Sequence, residues 1–392
     1  MLDFVSVPEG PKVIACCGSG GVGKTTVSAV LGLQAAISGK KTLVLTIDPA
    51  RRLADALGLD SFSHDARRVP LENLSEYGIR PQGELYAMML DTKHTFDRII
   101  SHHASPDLQA SIFNNRYYRH ISATLAGSHE YMAMEKVYEL YTEGQYDLIL
   151  LDTPPSRRAL DFLDAPTRIT DLLQHNFFWK LSRPYLKAGR WGFKLFSRMA
   201  SPVYKAAGHI LGSRMLDDVI DFLRLWDDVM FEGFKKRAAA FKSMLSGPDA
   251  LFFAVTSPMG TPMNEALFLY DRLEEYEIRF GGFIVNRVHP KIDYRVPDTP
   301  PEEIADNMST SLWGKLQTNF RNFKHLGESD HRALEYLRRR IGEETPVHRI
   351  ALFENDIHQL GGLLEIRHQL FDRRAPRRPE AAAGADKISQ CG

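Results

Sequence analysis

Gly18, Gly23, Lys24 and Thr25 stand at the spacing of a phosphate cradle, inside the stretch Val13 to Thr26, VIACCGSGGVGKTT. A glycine, four residues and then Gly-Lys-Thr allow backbone N–H groups to wrap a chain of phosphates, a lysine to reach the β and γ oxygens, and a hydroxyl to meet Mg²⁺. The alternative is a glycine-rich turn that binds nothing. The flanks favour the cradle, since Val13 to Cys17 reads as a buried strand and Thr26 to Ser38 (TVSAVLGLQAAIS) as a helix packed on a sheet. The loop then sits at a helix N-terminus, where phosphate is favoured. Phosphoryl transfer depends on positioning and charge stabilisation, so acids are needed to place the metal and orient the attacking water. Asp48 and Asp152 end the apolar runs KTLVLTID and DLILLD. Asp152 suits a metal-placing Walker B acid, against an ordinary strand-end or capping acid. Asp48 alone could be a turn signal before Pro49.

The elements that must position these residues alternate in type. Further strands are expected at Glu84 to Leu90 (ELYAMML), Ala250 to Thr256 (ALFFAVT), Gly282 to Asn286 (GFIVN) and His348 to Leu352 (HRIAL), separated by helical patterns. Arg51 to Gly58 reads as a short helix, 60 to 83 as loop, and 92 to 144 as mostly helical. This alternation predicts an α/β fold with a mainly parallel, twisted sheet flanked by helices, its ligand site at the carboxyl ends of the strands. Residues 18–26, 48–55 and 152–158 all follow strands and are expected to meet.

Between Ala165 and Ser246 no strand is expected. Leu216, Val219, Ile220, Leu223, Trp226 and Met230 share one helical face, with Asp217, Asp218, Asp221, Asp227 and Asp228 off it. Upstream, Trp179, Trp191, Phe193, Phe196 and Met199 interleave with Lys187, Arg190, Lys194 and Arg198. The expected organisation is therefore 1–164 as the first part of the core, 165–247 as an inserted all-helical subdomain, 248–372 as the second part of the core, and 373–392 as a disordered tail.

Lys plus Arg and Asp plus Glu number 49 each, so no bulk attraction to nucleic acid or acidic membrane is expected. Of the three cysteines, Cys16 and Cys17 are adjacent and Cys391 lies in the polar tail, which offers neither a disulfide framework nor a CxxC metal site. MLDFVSVPEGPK lacks the regions of a signal peptide, and no apolar run approaches the ~18 residues of a membrane span. The expectation is a cytoplasmic protein, with peripheral attachment at the inner membrane face left open.

GSGGVGKTT, then DPARRLADALG, then DTPPSRRALDFLDAP, together resemble the P-loop, switch I and switch II of the deviant-Walker-A ATPases of the arsenical-pump and guided-entry (tail-anchored protein targeting) family. The resemblance continues through FIVNRVHP and RIALFENDIHQLGGL, covering most of residues 12 to 370. It implies a P-loop NTPase whose Gly18, Ser19, Gly20, Gly21, Val22, Gly23, Lys24, Thr25 and Thr26 hold the phosphates of ATP, with Thr25 on Mg²⁺. It implies Asp48 as the acid that orients the attacking water and acts on the metal indirectly, Lys24 as its catalytic companion, Asp152 as the acid at the metal, and Asn286 as the adenine-reading amide. Without the resemblance, Asn286 could equally be a satisfied strand-end amide. With no internal repeat visible, a tandem pair of ATPase cores is not expected.

The departures from the family pattern are specific. Members usually carry a second lysine at the position of Ser19, reaching the partner's ATP across a nucleotide-sandwiching dimer. Arg157 and Arg158 stand where switch II usually has Gly-His, and Arg51 where switch I has His. These guanidinium groups could act as arginine fingers, or be surface arginines in salt bridges. The family's CxxC zinc clasp is missing, so no zinc is expected. Converging thiols for a metalloid are missing as well, because neighbouring strand residues Cys16 and Cys17 point to opposite faces.

The functional expectation is a Mg-dependent ATPase acting as a dimeric switch for a hydrophobic or membrane-protein client. The dimer is either a homodimer or a heterodimer with a lysine-containing paralogue. Phe177, Phe178, Trp179, Met215 and their neighbours could line a groove for a client helix, or simply be core. The alternative is a regulatory ATPase of the partitioning type, with the Trp179–Lys205 stretch on a membrane surface. A metalloid-pump subunit ranks third.

Overall fold

A strand run that is apolar at every position must be covered on both faces, and VIACC, the LVL of LVLT and the LILL of LILLD are all of this kind. The computed structural model describes residues 10–48, 52–59, 65–103, 105–114, 128–154, 232–301, 308–353 and 360–372. Arg51, Arg157 and Arg158, the aromatic residues of the expected insert up to Met230, and the tail from 373 lie outside them.

Along the chain come β1 (Val13–Cys17), α1 (Lys24–Ile37), β2 (Lys41–Thr46), α2 (Arg52–Leu57), β3 (Arg67–Arg68), a 3₁₀ helix (Glu72–Tyr77) and β4 (Glu84–Met89). Then follow α3 (Thr92–His103), α4 (Pro106–Asn114), α5 (Ser128–Glu143), β5 (Leu148–Asp152), α6 (Glu232–Leu245), β6 (Ala250–Thr256) and α7 (Gly260–Glu275). The remaining elements are β7 (Phe280–Val288), α8 (Thr310–Ile341), β8 (Val347–Ala351) and α9 (Leu360–Phe371).

The eight strands form one sheet in the order β3-β4-β2-β5-β1-β6-β7-β8. All pairs are parallel except β3 with β4. This is the expected α/β architecture of a P-loop NTPase.

Period-two alternation divides the core into two layers. Val13, Ala15 and Cys17 join residues of α3, α4, α5, α6, α7 and the end of α8, whereas Ile14 and Cys16 join α1, α2 and α9. The two cysteines thus do face opposite sides. Helix α1 is held between the sheet and α9, which is why Val27, Ala29, Val30, Leu31, Leu33, Ala35 and Ala36 are all buried. A helix apolar nearly all round belongs in such a place. Helix α6 packs on α5 and β6, with Phe241 fully buried against the sheet. Burial of such a side chain contributes roughly 1.5–3 kcal/mol relative to exposure. Among the described residues, no helix is long and apolar enough to cross a membrane.

Strand order decides where the chemistry meets. β1 lies between β5 and β6, and β5 lies between β1 and β2. The loops leaving β1, β2 and β5 therefore emerge side by side at one edge. In-register pairing sets Thr46 opposite Asp152, and Asp152 opposite Cys16.

Candidate nucleotide site

The loop after β1 folds back tightly because two glycines leave room that side chains would fill. At Gly18 a Cβ would lie 2.0 Å from the Val255 carbonyl oxygen, so the loop passes close over β6. Gly23, with φ 97°, is the left-handed N-cap of α1, a conformation glycine adopts without steric cost. The helix begins at Lys24, two residues before the sequence pattern suggested, and so places both Lys24 and Thr25 in the first turn. Val22 is buried, Gly20 and Gly21 are exposed, and Thr25 and Thr26 are half-buried at the mouth of the loop.

Lys24 is buried, and its Nζ donates to the Ser19 carbonyl at 2.8 Å. Burial pulls its pKa below the ordinary lysine value, with the nearby charges of Asp152 and Asp48 opposing that shift. The ammonium thus rests across the loop, on a carbonyl, beside the exposed glycines.

Asp152 sits at the bottom of the site. Its Oδ2 accepts from Thr25 Oγ1 at 2.7 Å and from Thr46 Oγ1 at 2.9 Å. Its Oδ1 is buried, and no hydrogen bond to it is found among the described residues. Burial pushes the carboxyl up to about 6; the hydroxyls of Thr25 and Thr46 and the charge of Lys24 hold it lower than burial alone, while Asp48 pushes it further up. A buried carboxylate with one unsatisfied oxygen, next to a threonine hydroxyl at a phosphate loop, is suited to a hard divalent cation. Mg²⁺ characteristically takes one or two protein oxygens and completes its shell with phosphate and water. Thr25 and Asp152 match that requirement, and no cage of three or more His, Cys, Asp or Glu side chains occurs among the described residues.

Asp48 lies two residues beyond the end of β2. Its N–H donates to Thr46 Oγ1 at 3.2 Å, so one threonine ties the backbone of Asp48 to the carboxylate of Asp152. Its charge acts on both Lys24 and Asp152. On the β5 side, Thr153 Oγ1 donates to the Cys16 carbonyl at 2.9 Å, joining the start of the switch II stretch to the strand that feeds the loop.

Ser19, at the position of the missing second lysine, is buried, and its Oγ donates to Glu265 Oε2 of α7 at 2.5 Å. Asn286, near the end of β7, donates its Nδ2 to the Val22 carbonyl at 2.8 Å. The structure therefore brings Ser19, Lys24, Thr25, Asp48, Asp152 and Asn286 to one edge of the sheet.

Three contributors escaped sequence reasoning. Thr46 lies two residues before Asp48 in the sequence, but its link to Asp152 depends on the pairing of β2 with β5 and carried no sequence signal. Thr153 follows directly on Asp152, and that adjacency was a signal. Glu265, on a helix far along the chain, carried none, because only the order of β1 and β6 brings α7 to the loop.

A glycine loop running from a central parallel strand into a helix, with a lysine and threonine in the first turn and a strand-end aspartate beneath them, defines a P-loop NTPase. Residues 11–297 match the anion-transporting ATPase family (ArsA_ATPase), and the chain belongs to it. The chain is 27% identical over 290 residues to the putative arsenical pump-driving ATPase 1 of Aquifex aeolicus, a stretch covering 71% of this chain and 64% of that protein. It is 26% identical over 273 residues to the ATPase get3 of Aspergillus terreus, covering 69% and 71% respectively. The first of these alignments spans just under two thirds of the relative's length. The family match stops at 297, short of RIALFENDIHQLGGL.

Proposed function

We propose that the chain hydrolyses MgATP and works as a nucleotide-driven dimeric switch for a hydrophobic or membrane-protein client. The observation that carries the ATPase reading is Asp152, a buried carboxylate beside Thr25 at the foot of the loop whose Oδ1 has no hydrogen-bond partner among the described residues. Thr25 and Asp152 would hold Mg²⁺, which would supply neutralisation of the charge that develops in phosphoryl transfer. The loop N–H groups bind and orient the phosphates. Lys24 exchanges the Ser19 carbonyl for phosphate oxygens, which are stronger acceptors for an ammonium. Asp48, held by Thr46, orients the attacking water.

The switch reading rests on connection. Thr46 joins Asp48 to Asp152, and Thr153 joins the start of switch II to β1. Contacts made by a terminal phosphate would therefore be felt by both segments that leave the site. The dimer and the client are carried over from the resemblance to the guided-entry family, a reading that the likeness to the get3 ATPase supports. A metalloid role finds no support in Cys16 and Cys17. They lie in different core layers, and burial raises Cys17 to about 11 and Cys16 further, which opposes thiolate formation.

Ser19 bears on the partner. A homodimer of this chain has serine at both positions where the family carries its second lysine, whereas a heterodimer with a lysine-containing paralogue has one complete site. Purified protein assayed for phosphate release, alone and with Ser19→Lys, tests this. Low turnover that rises in the variant supports the unequal pair, and normal turnover unchanged by the substitution removes its motive. Capture of a tail-anchor peptide in an ATP-dependent way supports the client reading, whereas ATP-dependent flotation with bare liposomes favours the partitioning type.

A further inference from the structure

The side-chain amide of Asn286 is fixed at both ends. Nδ2 donates to the Val22 carbonyl at 2.8 Å, and Oδ1 accepts from the Arg287 N–H at 2.9 Å. The backbone is shaped for this. Arg287 has φ 61°, a left-handed value that residues with a Cβ seldom adopt, and the β7–β8 register shifts between Val285 and Val288. The loop is shaped for it as well, since a Cβ on Gly23 would lie 2.3 Å from Asn286 Nδ2. A positive φ, an irregular register and a residue without a side chain thus converge on one amide-to-carbonyl contact.

Val22 and Gly23 share a peptide unit, and in a trans peptide the C=O and N–H point in opposite directions. A donor that ties the Val22 carbonyl therefore fixes the Gly23 N–H in the opposite direction, away from Asn286. It also keeps a carbonyl dipole from swinging towards anionic oxygens. Nests of this kind bind phosphate only while successive N–H groups face inward.

We propose that Asn286 is a positioning residue for the triphosphate, strapping the Val22 carbonyl so that the loop is organised for phosphate whichever base is attached. This rests on the reading of the loop as a MgATP site and goes beyond the adenine-reading role that the family resemblance implies.

The test compares affinities of wild type, Asn286→Ala and Asn286→Asp for MgATP, MgGTP and Mg-tripolyphosphate, which has no base. Loss of one buried hydrogen bond should weaken all three ligands by the same factor, about fivefold to tenfold, in both variants. The aspartate variant keeps an acceptor for the Arg287 N–H and serves if alanine does not fold. Its added charge is separated from strap loss by hydrogen exchange without nucleotide, where the Gly23 and Lys24 amides should exchange faster and those of β1 should not. Loss confined to ATP would make Asn286 a base reader and overturn the proposal. Unchanged affinities, or a loss in the aspartate variant without faster exchange, would overturn it too. Wild type binding neither ATP nor tripolyphosphate would remove the ATPase reading itself.

Discussion

Single side chains at the sheet edge have separable jobs, and substitution should separate them. Lys24→Ala removes a charge-assisted contact to phosphate and should weaken MgATP about tenfold to a hundredfold in a binding titration. Asp48→Asn keeps the shape of the β2 loop and should leave binding near wild type while lowering kcat by about a hundredfold or more. Asp152 behaves differently because it is buried. Its carboxyl is raised from 3.8 to about 6 in the folded protein, so between those values the native state binds the proton more tightly than the unfolded chain. Stability of the nucleotide-free protein should therefore fall as pH rises from 4 through 6, by roughly 3 kcal/mol at most from this group. Asp152→Asn, neutral and isosteric, should flatten that dependence and raise Tm at pH 7, which thermal melts at several pH values will read. Gly18, Lys24, Thr25 and Asp152 could all be named from residue type and spacing. The hydroxyl of Thr46, which links two acids, became visible only once β2 and β5 were known to pair in register.

At the scale of elements, the buried ion pair between α5 and α6 has an effect that can be measured. Arg237 Nε donates to Glu135 Oε2 at 2.7 Å, and Tyr131 donates to the same carboxylate. Glu135 is only 4% exposed, and burial raises its pKa despite the arginine. Removing the cation strands a buried charge, so Arg237→Met should cost about 3–5 kcal/mol in urea unfolding, and adding Glu135→Gln should restore much of it. Neither residue stood out in the sequence, because charges on helices are ordinarily solvated. The strands were far more legible: VIACC is apolar throughout, and LVLT and LILLD are apolar up to their last residue, as central parallel strands are. β3 was not expected, since the two exposed arginines that form it carry no apolar pattern. β7 runs from Phe280 to Val288, two residues longer at each end than the expected Gly282 to Asn286.

The described residues form a sheet with two core layers whose central strands deliver their loops to one edge. That plan explains why residues 18–26, 48 and 152 meet although more than a hundred positions separate the first from the last. A switch built on this edge should change its assembly with nucleotide. Light scattering after size exclusion is expected to give a larger or more compact dimer with MgATP held by Asp48→Asn than with MgADP, and no nucleotide dependence of mass or radius would argue against the switch. The central claim is that the loop and Asp152 together form a MgATP site. Its most direct test is the calorimetric titration of ATP into wild type and Asp152→Asn, each with Mg²⁺ and with excess chelator. Tight binding that depends on Mg²⁺ in wild type and loses that dependence in the folded Asp152→Asn variant is the predicted result. Equal Mg²⁺ dependence in the two proteins would contradict it.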